Sequence, residues 1–403
     1  MNGNLFLVIF FIIFVLNPLY GSSTIKVGVL HSKTGVMAQN EVPVLLATLA
    51  AIEEINQDGG INGKFIEAIE EDGESDPAKF ALAANRLLDQ GIETIFGTWT
   101  SASRKAVKEV LEKRGGLLFY PIQFEGLEDS PHIVYLGTTP NQQLITASSW
   151  AMQNLGNRFF LVGSDYIYPK ASCQILRDYL LTQGALIEGE ELLPLTDMNF
   201  APVVEKIKRI KPSVIINLVN GDGNRVLFTL LENDPELKKL PIISLSVTED
   251  NIQTWNSQLD NHYLCWSYFQ NLKTAENINF ISKIRKQIDP RILINDPMET
   301  AFFGVKIWAN SYKNAINSSI SALLFSIKGQ GITAAEGIIG LTPSLYLLRN
   351  VGLAKVFHNK IPQIIWRSIN PIYPEPFPNV RSKEEWEDLL KRWYQEWGNK
   401  WGS

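Results

Sequence analysis

The chain has 403 residues, of which 45% are hydrophobic and 20% are charged, and this composition is that of a globular protein. Long disorder, collagen, coiled coils and polytopic membrane proteins are therefore excluded, and two or three domains are expected at about 150 residues each. The net charge of −5 leaves no broad basic surface for nucleic acid. Two cysteines and four histidines exclude a disulfide scaffold and a cysteine-rich metal site.

The first predicted element is a short apolar helix near the N-terminus. Residues 5–16 are all apolar, but a helix of that length spans about 18 Å, which is less than the roughly 30 Å of a bilayer core. A helix-breaking Asn-Pro pair follows at 17–18, and small residues follow at 21–23. Residues 1–23 are predicted to be a secretory signal peptide, cleaved to leave an extracytoplasmic protein. Residues 1–4 lack Lys and Arg, so an uncleaved anchor stays open as the alternative. A lipoprotein anchor is not predicted because the cleavage region contains no Cys.

Strands and helices alternate through the rest of the chain. The first strand, 25–30, is apolar with little polar alternation, which is typical of a strand buried on both faces of a parallel sheet. Short connections between alternating elements predict two doubly wound parallel-sheet lobes in tandem. The predicted strands are 25–30, 65–69, 92–97, 117–120, 159–163, 186–193, 214–218, 241–244 and 263–266. The predicted helices are 44–56, 76–88, 103–114, 144–153, 170–182, 200–210, 225–231, 280–287, 299–315 and 383–401.

Motifs for catalysis or cofactor binding are missing from the sequence. It contains no G-x-S-x-G, H-E-x-x-H, P-loop or C-x-x-C motif. Residues 221–226 begin like a dinucleotide-binding loop but lack its third glycine, so they are interpreted as a strand-to-helix loop with Asp222 near the helix start. Cys173 and Cys265 either pair or remain two buried thiols. His262 is a poor base for Cys265, since residues three apart in a strand lie on opposite faces. The other histidines, which form no metal-binding set, are His31, His132 and His358.

Aromatic and hydroxyl residues instead follow four of the predicted strands. Ligands of open parallel sheets bind outside the carboxyl ends of the strands, so loops from both lobes can meet at one cleft. Trp and Tyr supply flat walls there, while Ser, Thr, Asn and Gln supply neutral donors and acceptors. This pattern favours a small, uncharged, hydrogen-bonding ligand, since Arg104 is the only Arg in these loops. Each loop taken singly is also compatible with ordinary turn chemistry. The loops are 98–105, 120–126, 163–169 and 219–222.

These loops carry a resemblance to a known family. Over roughly residues 24–375 the chain resembles the solute-binding proteins of urea ABC transporters, and it is similar to the amide-sensing regulator of aliphatic amidase expression. The matching runs are GTWTSASRKAV at 97–107, LLFYP at 117–121, FEG at 124–126, PNQ at 140–142, GSDYIYP at 163–169, IEEIN at 52–56 and NDPME at 295–299.

The resemblance implies a type I periplasmic-binding fold, in which two lobes are hinged by three crossovers. The implied first lobe comprises residues 24–140 and 268–345. The second comprises residues 141–267 and 346–375. The remaining segment, 376–403, is a Trp-rich helical tail beyond the resemblance. Its residues Trp386, Trp393 and Trp397 share one helix face, which either packs on a lobe or meets a partner or membrane surface.

The resemblance also implies which residues bind the ligand. Trp99, Gln123 and the Asn-Gly-Asp run at 220–222 match the urea-binding branch, whereas the amidase regulator has Tyr and Pro at the first two places. Gln123 and Asp222 would accept hydrogen bonds from urea, which has four N–H donors. Glu249 is a weaker candidate acceptor, with a solvated loop acid as the alternative. The candidate ligand-binding residues are Trp99, Thr100, Ser101, Tyr120, Gln123, Tyr166, Tyr168, Asn220, Asp222 and Glu249.

The function expected from these patterns is capture of urea or a short-chain amide outside the cytoplasm and its delivery to the membrane permease of an ABC transporter. An extracytoplasmic sensor that reports the ligand to a partner protein is the alternative. No enzyme activity is predicted, because no nucleophile and base are paired in the candidate loops. No metal, cofactor or nucleic-acid partner is predicted. The sequence leaves open the choice among urea, acetamide and formamide, the affinity and the oligomeric state.

Overall fold

A computed structural model describes residues 24–255, 261–357 and 359–403. The predicted signal peptide at 1–23 and the isolated histidine at position 358 lie outside these residues. None of the helices in the described part of the chain combines the length and the apolar character that a membrane crossing requires.

The described residues form fifteen strands and twelve α-helices. The strands are β1 Ile25–His31, β2 Ile66–Asp72, β3 Thr94–Gly97, β4 Leu117–Tyr120, β5 Ile133–Tyr135, β6 Arg158–Ser164, β7 Leu186–Leu193, β8 Val214–Leu218, β9 Ile242–Ser244, β10 His262–Trp266, β11 Gly331–Ala334, β12 Gly337–Leu341, β13 Leu347–Leu348, β14 Gly352–Val356 and β15 Pro362–Arg367. The helices are α1 Ala38–Gln57, α2 Pro77–Asp89, α3 Ser101–Arg114, α4 Thr146–Asn154, α5 Ile167–Thr182, α6 Ala201–Ile210, α7 Gly223–Glu232, α8 Glu249–Thr254, α9 Ala275–Gln287, α10 Asp296–Asn314, α11 Ile320–Ile327 and α12 Lys383–Glu396.

Two sheets form the centres of two lobes. The first has the strand order β2-β1-β3-β4-β5 and is parallel throughout. The second has the order β15-β14-β10-β9-β8-β6-β7, in which β14 runs antiparallel to both of its neighbours, β10 and β15, and the other pairings are parallel. Helices cover both faces of each sheet, as parallel sheets require. The predicted doubly wound lobes are therefore confirmed, and β11, β12 and β13 add a small antiparallel sheet.

Most predicted elements are present, with shifts that tertiary contacts explain. The strands predicted at 117–120, 186–193 and 214–218 have those bounds. Helix α1 begins six residues earlier than predicted and runs through Pro43. Its first turns are held because the buried Glu41 carboxylate accepts a hydrogen bond from the Ser32 amide at 2.9 Å. Helix α12 ends at Glu396 rather than 401, since Gly398 and Asn399 take left-handed backbone angles.

One buried guanidinium ties together the segments that pass between the lobes. Arg349 donates to the Leu136 carbonyl at 3.0 Å, to Asp296 at 3.1 Å and to Glu336 at 2.7 Å. Asp296 in turn accepts from the amides of Ser267 and Tyr268, directly after β10. These bonds satisfy the buried charges and hold the crossing segments in one fixed arrangement.

The cysteines and the tail are both part of the packed second lobe. Cys173 and Cys265 are free, buried thiols, and burial raises the pKa of each. The disulfide alternative is thus not what the structure contains. Trp386 and Trp393 of α12 are buried in the same core, and the Trp386 indole donates to the Pro378 carbonyl at 3.0 Å. These two tail residues therefore serve core packing.

Candidate ligand-binding site

The candidate loops follow β3 and β4 of the first sheet and β6 and β8 of the second. The β3–α3 loop turns sharply at Gly97, whose φ is +146°. A Cβ atom there would lie 2.0 Å from the Leu30 carbonyl oxygen, so only glycine fits. The turn directs residues 98–101 into the cleft. Thr100 is engaged as the N-cap of α3, where its side-chain oxygen accepts from the Ser103 amide at 3.1 Å.

A buried ion cluster lies directly behind this loop. Arg104 donates to Glu125 and to Glu128, each at 2.9 Å, and all three side chains are at least 96% buried. Arg104 also donates to the Ser101 hydroxyl oxygen at 2.8 Å, and Ser101 donates to Glu125. The sequence placed Arg104 only at a helix start and gave no role to Glu125. The FEG run at 124–126 was the available signal for that acid.

The two lobes touch across the cleft through candidate residues. The Trp99 indole N–H donates to the Asn220 side-chain oxygen at 3.2 Å. The Gln123 amide nitrogen donates to the Leu245 carbonyl at 3.0 Å and to the Ser246 hydroxyl at 3.1 Å. Since these bonds join opposite lobes directly, the structure is a closed conformation.

Two tyrosines of the second lobe complete the aromatic wall. Tyr166 and Tyr168 are 5% and 3% exposed, with ring centroids 6.4 Å apart. On the facing lobe, the Tyr120 hydroxyl donates to the Trp99 carbonyl at 2.7 Å. Burial raises the pKa of all three phenols, so each remains a neutral hydroxyl.

Buried polar atoms in the cleft lack partners. Within the described residues, the Gln123 side-chain oxygen, the Tyr168 hydroxyl and the Thr98 hydroxyl are buried without a hydrogen bond. Leaving such a group unpaired costs about 1–3 kcal/mol, so a polar ligand that paired with these atoms would be stabilised by that amount. One of them is a pure acceptor and two are hydroxyls, which donate or accept.

Asp222 and Glu249 occupy different surroundings. Asp222 is partly exposed at the start of α7 and makes no side-chain cap there. Glu249 is only 7% exposed, so the solvated-acid alternative is wrong. One oxygen of its carboxyl group accepts a hydrogen bond from the Gln270 amide at 3.1 Å, on the segment that leaves β10. The structure thus brings Glu249 to a crossing segment, not to the aromatic wall.

Glu249 predicts a pH dependence of stability. Burial raises the pKa of its carboxyl to about 8. Between about pH 4.5 and 8 the folded protein holds a proton that the unfolded chain releases, so the free energy of unfolding falls as pH rises. Glu249→Gln should reduce this fall by about 4 kcal/mol, measured by guanidinium unfolding across that window. An unchanged slope would contradict the prediction. Other buried acids titrate in the same direction, so only the difference between wild type and variant is diagnostic.

The C-terminal tail contributes to the mouth of the cleft, which sequence reasoning missed. A cavity of about 530 Å³ lies between Thr100, Tyr166 and Trp401. The Trp401 carbonyl accepts from the Ile167 amide at 3.0 Å, and the Lys105 ammonium lies 4.6 Å from the Trp401 ring centre. Trp401 therefore contacts both lobes beside the candidate site.

Among the described residues, no group of three or more His, Cys, Asp or Glu side chains is arranged to hold a metal ion. The buried carboxylates behind the β3–α3 loop, Glu125 and Glu128, are paired with Arg104. What the cleft offers is hydrogen bonding and aromatic contact, which suit reversible binding of a small molecule.

Comparison with known proteins identifies the class. The family described as "Periplasmic binding protein domain" matches residues 25–383. The chain therefore belongs to the periplasmic binding proteins, a family of extracytoplasmic ligand-binding proteins that are not enzymes.

Relatives with known names share parts of the sequence. A leucine-, isoleucine-, valine-, threonine- and alanine-binding protein of Pseudomonas aeruginosa is 31% identical over 100 residues, which is 25% of this chain and 27% of the relative. A Leu/Ile/Val/Thr-binding protein of Salmonella typhimurium is 24% identical over 189 residues, which is 46% of this chain and 52% of the relative. The chain thus spans about half or less of these relatives.

Solved structures share the whole fold. An ABC transporter solute-binding protein of R. palustris, in complex with 4-hydroxybenzoate, has a TM-score of 0.78 at 18% identity, covering 87% of this chain and 98% of that one. A branched-chain amino acid transporter substrate-binding protein of Streptococcus pneumoniae, in complex with isoleucine, has a TM-score of 0.74 at 19% identity, covering 87% and 100%. The expected type I periplasmic-binding fold is confirmed.

Proposed function

We propose that this protein is the solute-binding component of an ABC transporter and that it captures urea or a short-chain amide between its lobes. The observation that carries the proposal is the buried neutral cleft. Trp99, Tyr120, Gln123, Tyr168 and Asn220 meet there, each at most 5% exposed. The buried Gln123 oxygen and Tyr168 hydroxyl, unpartnered within the described residues, are complementary to the N–H groups and the carbonyl of an amide.

The charge of the cleft supports a neutral ligand. The Arg104 guanidinium, behind the β3–α3 loop, is already bound to two carboxylates and lies 4.9 Å from the centre of the Tyr120 ring, and the neighbouring Lys105 ammonium is paired with Glu128. A carboxylate ligand would have to compete with Glu125 for the guanidinium in a desolvated site. An uncharged ligand enters without separating the buried pair, whose disruption would be costly.

The closeness of the walls supports a small ligand. The Trp99–Asn220 and Gln123–Leu245 hydrogen bonds bring the lobes into direct contact. We infer a ligand of a few heavy atoms, because a larger one would hold the lobes apart and break these bonds. Contacts made only in the closed state are the ones by which a ligand shifts the open–closed equilibrium.

Tryptophan-fluorescence titration, checked by calorimetry, tests the proposal. The purified protein is titrated with urea, acetamide, formamide, leucine and 4-hydroxybenzoate. Saturable binding of urea or an amide at micromolar concentrations is expected, far below the molar concentrations at which urea unfolds proteins. Binding of leucine or 4-hydroxybenzoate in preference to every amide would overturn the ligand assignment while leaving the fold and family in place.

The partner is part of the same proposal. An ABC permease would receive the ligand from the closed protein, and a membrane-bound signalling protein is the alternative receiver. Genes for a permease and an ATPase beside this one would support transport. A neighbouring sensor-kinase gene without them would support the sensor.

A further inference from the structure

The Ser101 hydroxyl has a fixed polarity. Its single hydrogen is donated to the Glu125 carboxylate, since a carboxylate only accepts. Its oxygen accepts from Arg104 at 2.8 Å. The hydroxyl is 1% exposed and cannot rotate without leaving a buried charge unsatisfied. The remaining lone pair on the oxygen therefore allows Ser101 only to accept a hydrogen bond from a ligand.

Two other polar groups of the cleft wall also have their donor hydrogens bonded to protein acceptors, so that only their oxygens remain for a ligand. The Tyr120 hydroxyl donates its hydrogen to the Trp99 carbonyl at 2.7 Å, which leaves the phenol oxygen as an acceptor. Both hydrogens of the Gln123 amide are directed at Leu245 and Ser246, which leaves its oxygen as an acceptor. In each case a neighbouring protein group occupies the donor, so these three groups present acceptors.

We propose that Glu125 and Arg104 are positioning residues that hold Ser101 as a hydrogen-bond acceptor, so that the cleft selects its ligand by the number of N–H donors. The inference rests on the proposed function and specifies its selectivity. Urea has four N–H donors, acetamide two and acetate none, although the three molecules have nearly the same shape. Urea has enough N–H donors for all three acceptors, whereas acetamide leaves one acceptor without a donor. Acetate has only acceptor oxygens, so it would place acceptors against acceptors. The order of affinity is urea, then acetamide, with acetate excluded.

The test compares these three ligands by calorimetry in the full chain. In Ser101→Ala and in Glu125→Gln, the ratio of urea affinity to acetamide affinity should fall by about tenfold, which is the usual size for one hydrogen bond. Glu125→Gln changes the ligand contact only through Ser101. The glutamine amide donates a hydrogen bond to the Ser101 oxygen, so the Ser101 hydrogen turns toward the ligand and the group becomes a donor. Glu128→Gln is the matched control: it alters the same ion cluster but has no bond to Ser101. Its ratio should stay at the wild-type value.

The outcomes separate the two levels of the proposal. An unchanged ratio in Ser101→Ala, or an equal fall in Glu128→Gln, overturns the positioning role while urea transport stands. Binding of acetate by the wild type as tightly as acetamide overturns it as well. A wild-type protein that binds neither urea nor acetamide overturns the proposed function itself. If Glu125→Gln fails to fold, an unchanged ratio in Ser101→Ala still overturns the proposal, since that variant leaves the Arg104–Glu125 pair in place.

Discussion

Replacing Trp99 with alanine should lower the affinity for urea by about two orders of magnitude. The indole is 2% exposed, forms one wall of the cleft and donates the hydrogen bond to Asn220 that joins the lobes. Its removal takes away a ligand contact and an interaction that exists only in the closed state. Truncation of a buried aromatic anchor of this kind costs about 2–4 kcal/mol, and about 1.4 kcal/mol corresponds to a factor of ten. Calorimetry is the appropriate measurement, because the substitution also removes a fluorophore.

A second tryptophan provides the control for this experiment. Trp150 on α4 is half-buried and packs against Tyr263, with ring centroids 5.3 Å apart. Trp150→Ala removes the same side chain from a site that makes no interlobe hydrogen bond through its indole among the described residues. Its urea affinity should stay within a factor of about two of the wild type. Near-normal urea binding by Trp99→Ala would show that the ligand site lies elsewhere.

Replacing Arg104 with alanine should destabilise the protein by about 3–5 kcal/mol. The substitution leaves Glu125 and Glu128 buried, with Lys105 as the remaining cation, which lies 2.7 Å from Glu128 but 3.9 Å from Glu125. Breaking a buried ion pair by removing one partner leaves an uncompensated charge in a medium of low dielectric constant. Thermal or guanidinium unfolding measures the loss. Urea is unsuitable as the denaturant, since it is also the proposed ligand.

An exposed arginine gives the matched comparison. Arg114 pairs with Asp89 at 2.6 Å, and both side chains are more than a third exposed. Surface pairs of this kind contribute about 0–1 kcal/mol, so Arg114→Ala should be close to neutral. Equal stability losses in the two variants would contradict the special cost assigned to the buried cluster.

The alternation of strands and helices predicted most elements, and the bounds of some strands, from residues within each segment. Strand β8 has the predicted bounds, and all five of its residues are buried. Strand β7 also has the predicted bounds, although it contains three glutamates and is mostly half-buried at the edge of the sheet. Strand β5 and helix α8 were missed, because three and six residues are too short to carry a period. Helix α1 extends past Pro43 because Glu41 is held by a residue of β1's following loop, a contact that local propensity does not contain.

In the candidate site, too, some residues were predicted from the sequence and others were found only in the structure. Trp99, Gln123 and Asn220 were named from loops at strand ends, and the structure places them in direct interlobe contacts. The roles of Glu125 and Trp401 were not predicted, although in the structure Glu125 contacts the candidate Ser101 and Trp401 lines a cavity with the candidate Tyr166. Glu125 accepts a hydrogen bond from Ser101, which lies 24 positions earlier in the chain. The Trp401 carbonyl, near the end of the tail, accepts a hydrogen bond from the Ile167 amide. A pattern read along the chain contains no information on pairs brought together only by folding.

The sequence by itself determined the alternating architecture, the polar and aromatic strand ends and the membership of the periplasmic binding proteins, which is the part of the resemblance that the family match shows. These features are local, since each depends on residues within one strand, helix or loop. The tertiary structure alone decided that Arg104 is buried between two acids, that Glu249 is desolvated and that the tail lies at the mouth of the cleft. Burial and the identity of a hydrogen-bond partner depend on distant segments, and these quantities set the charge and polarity of the site.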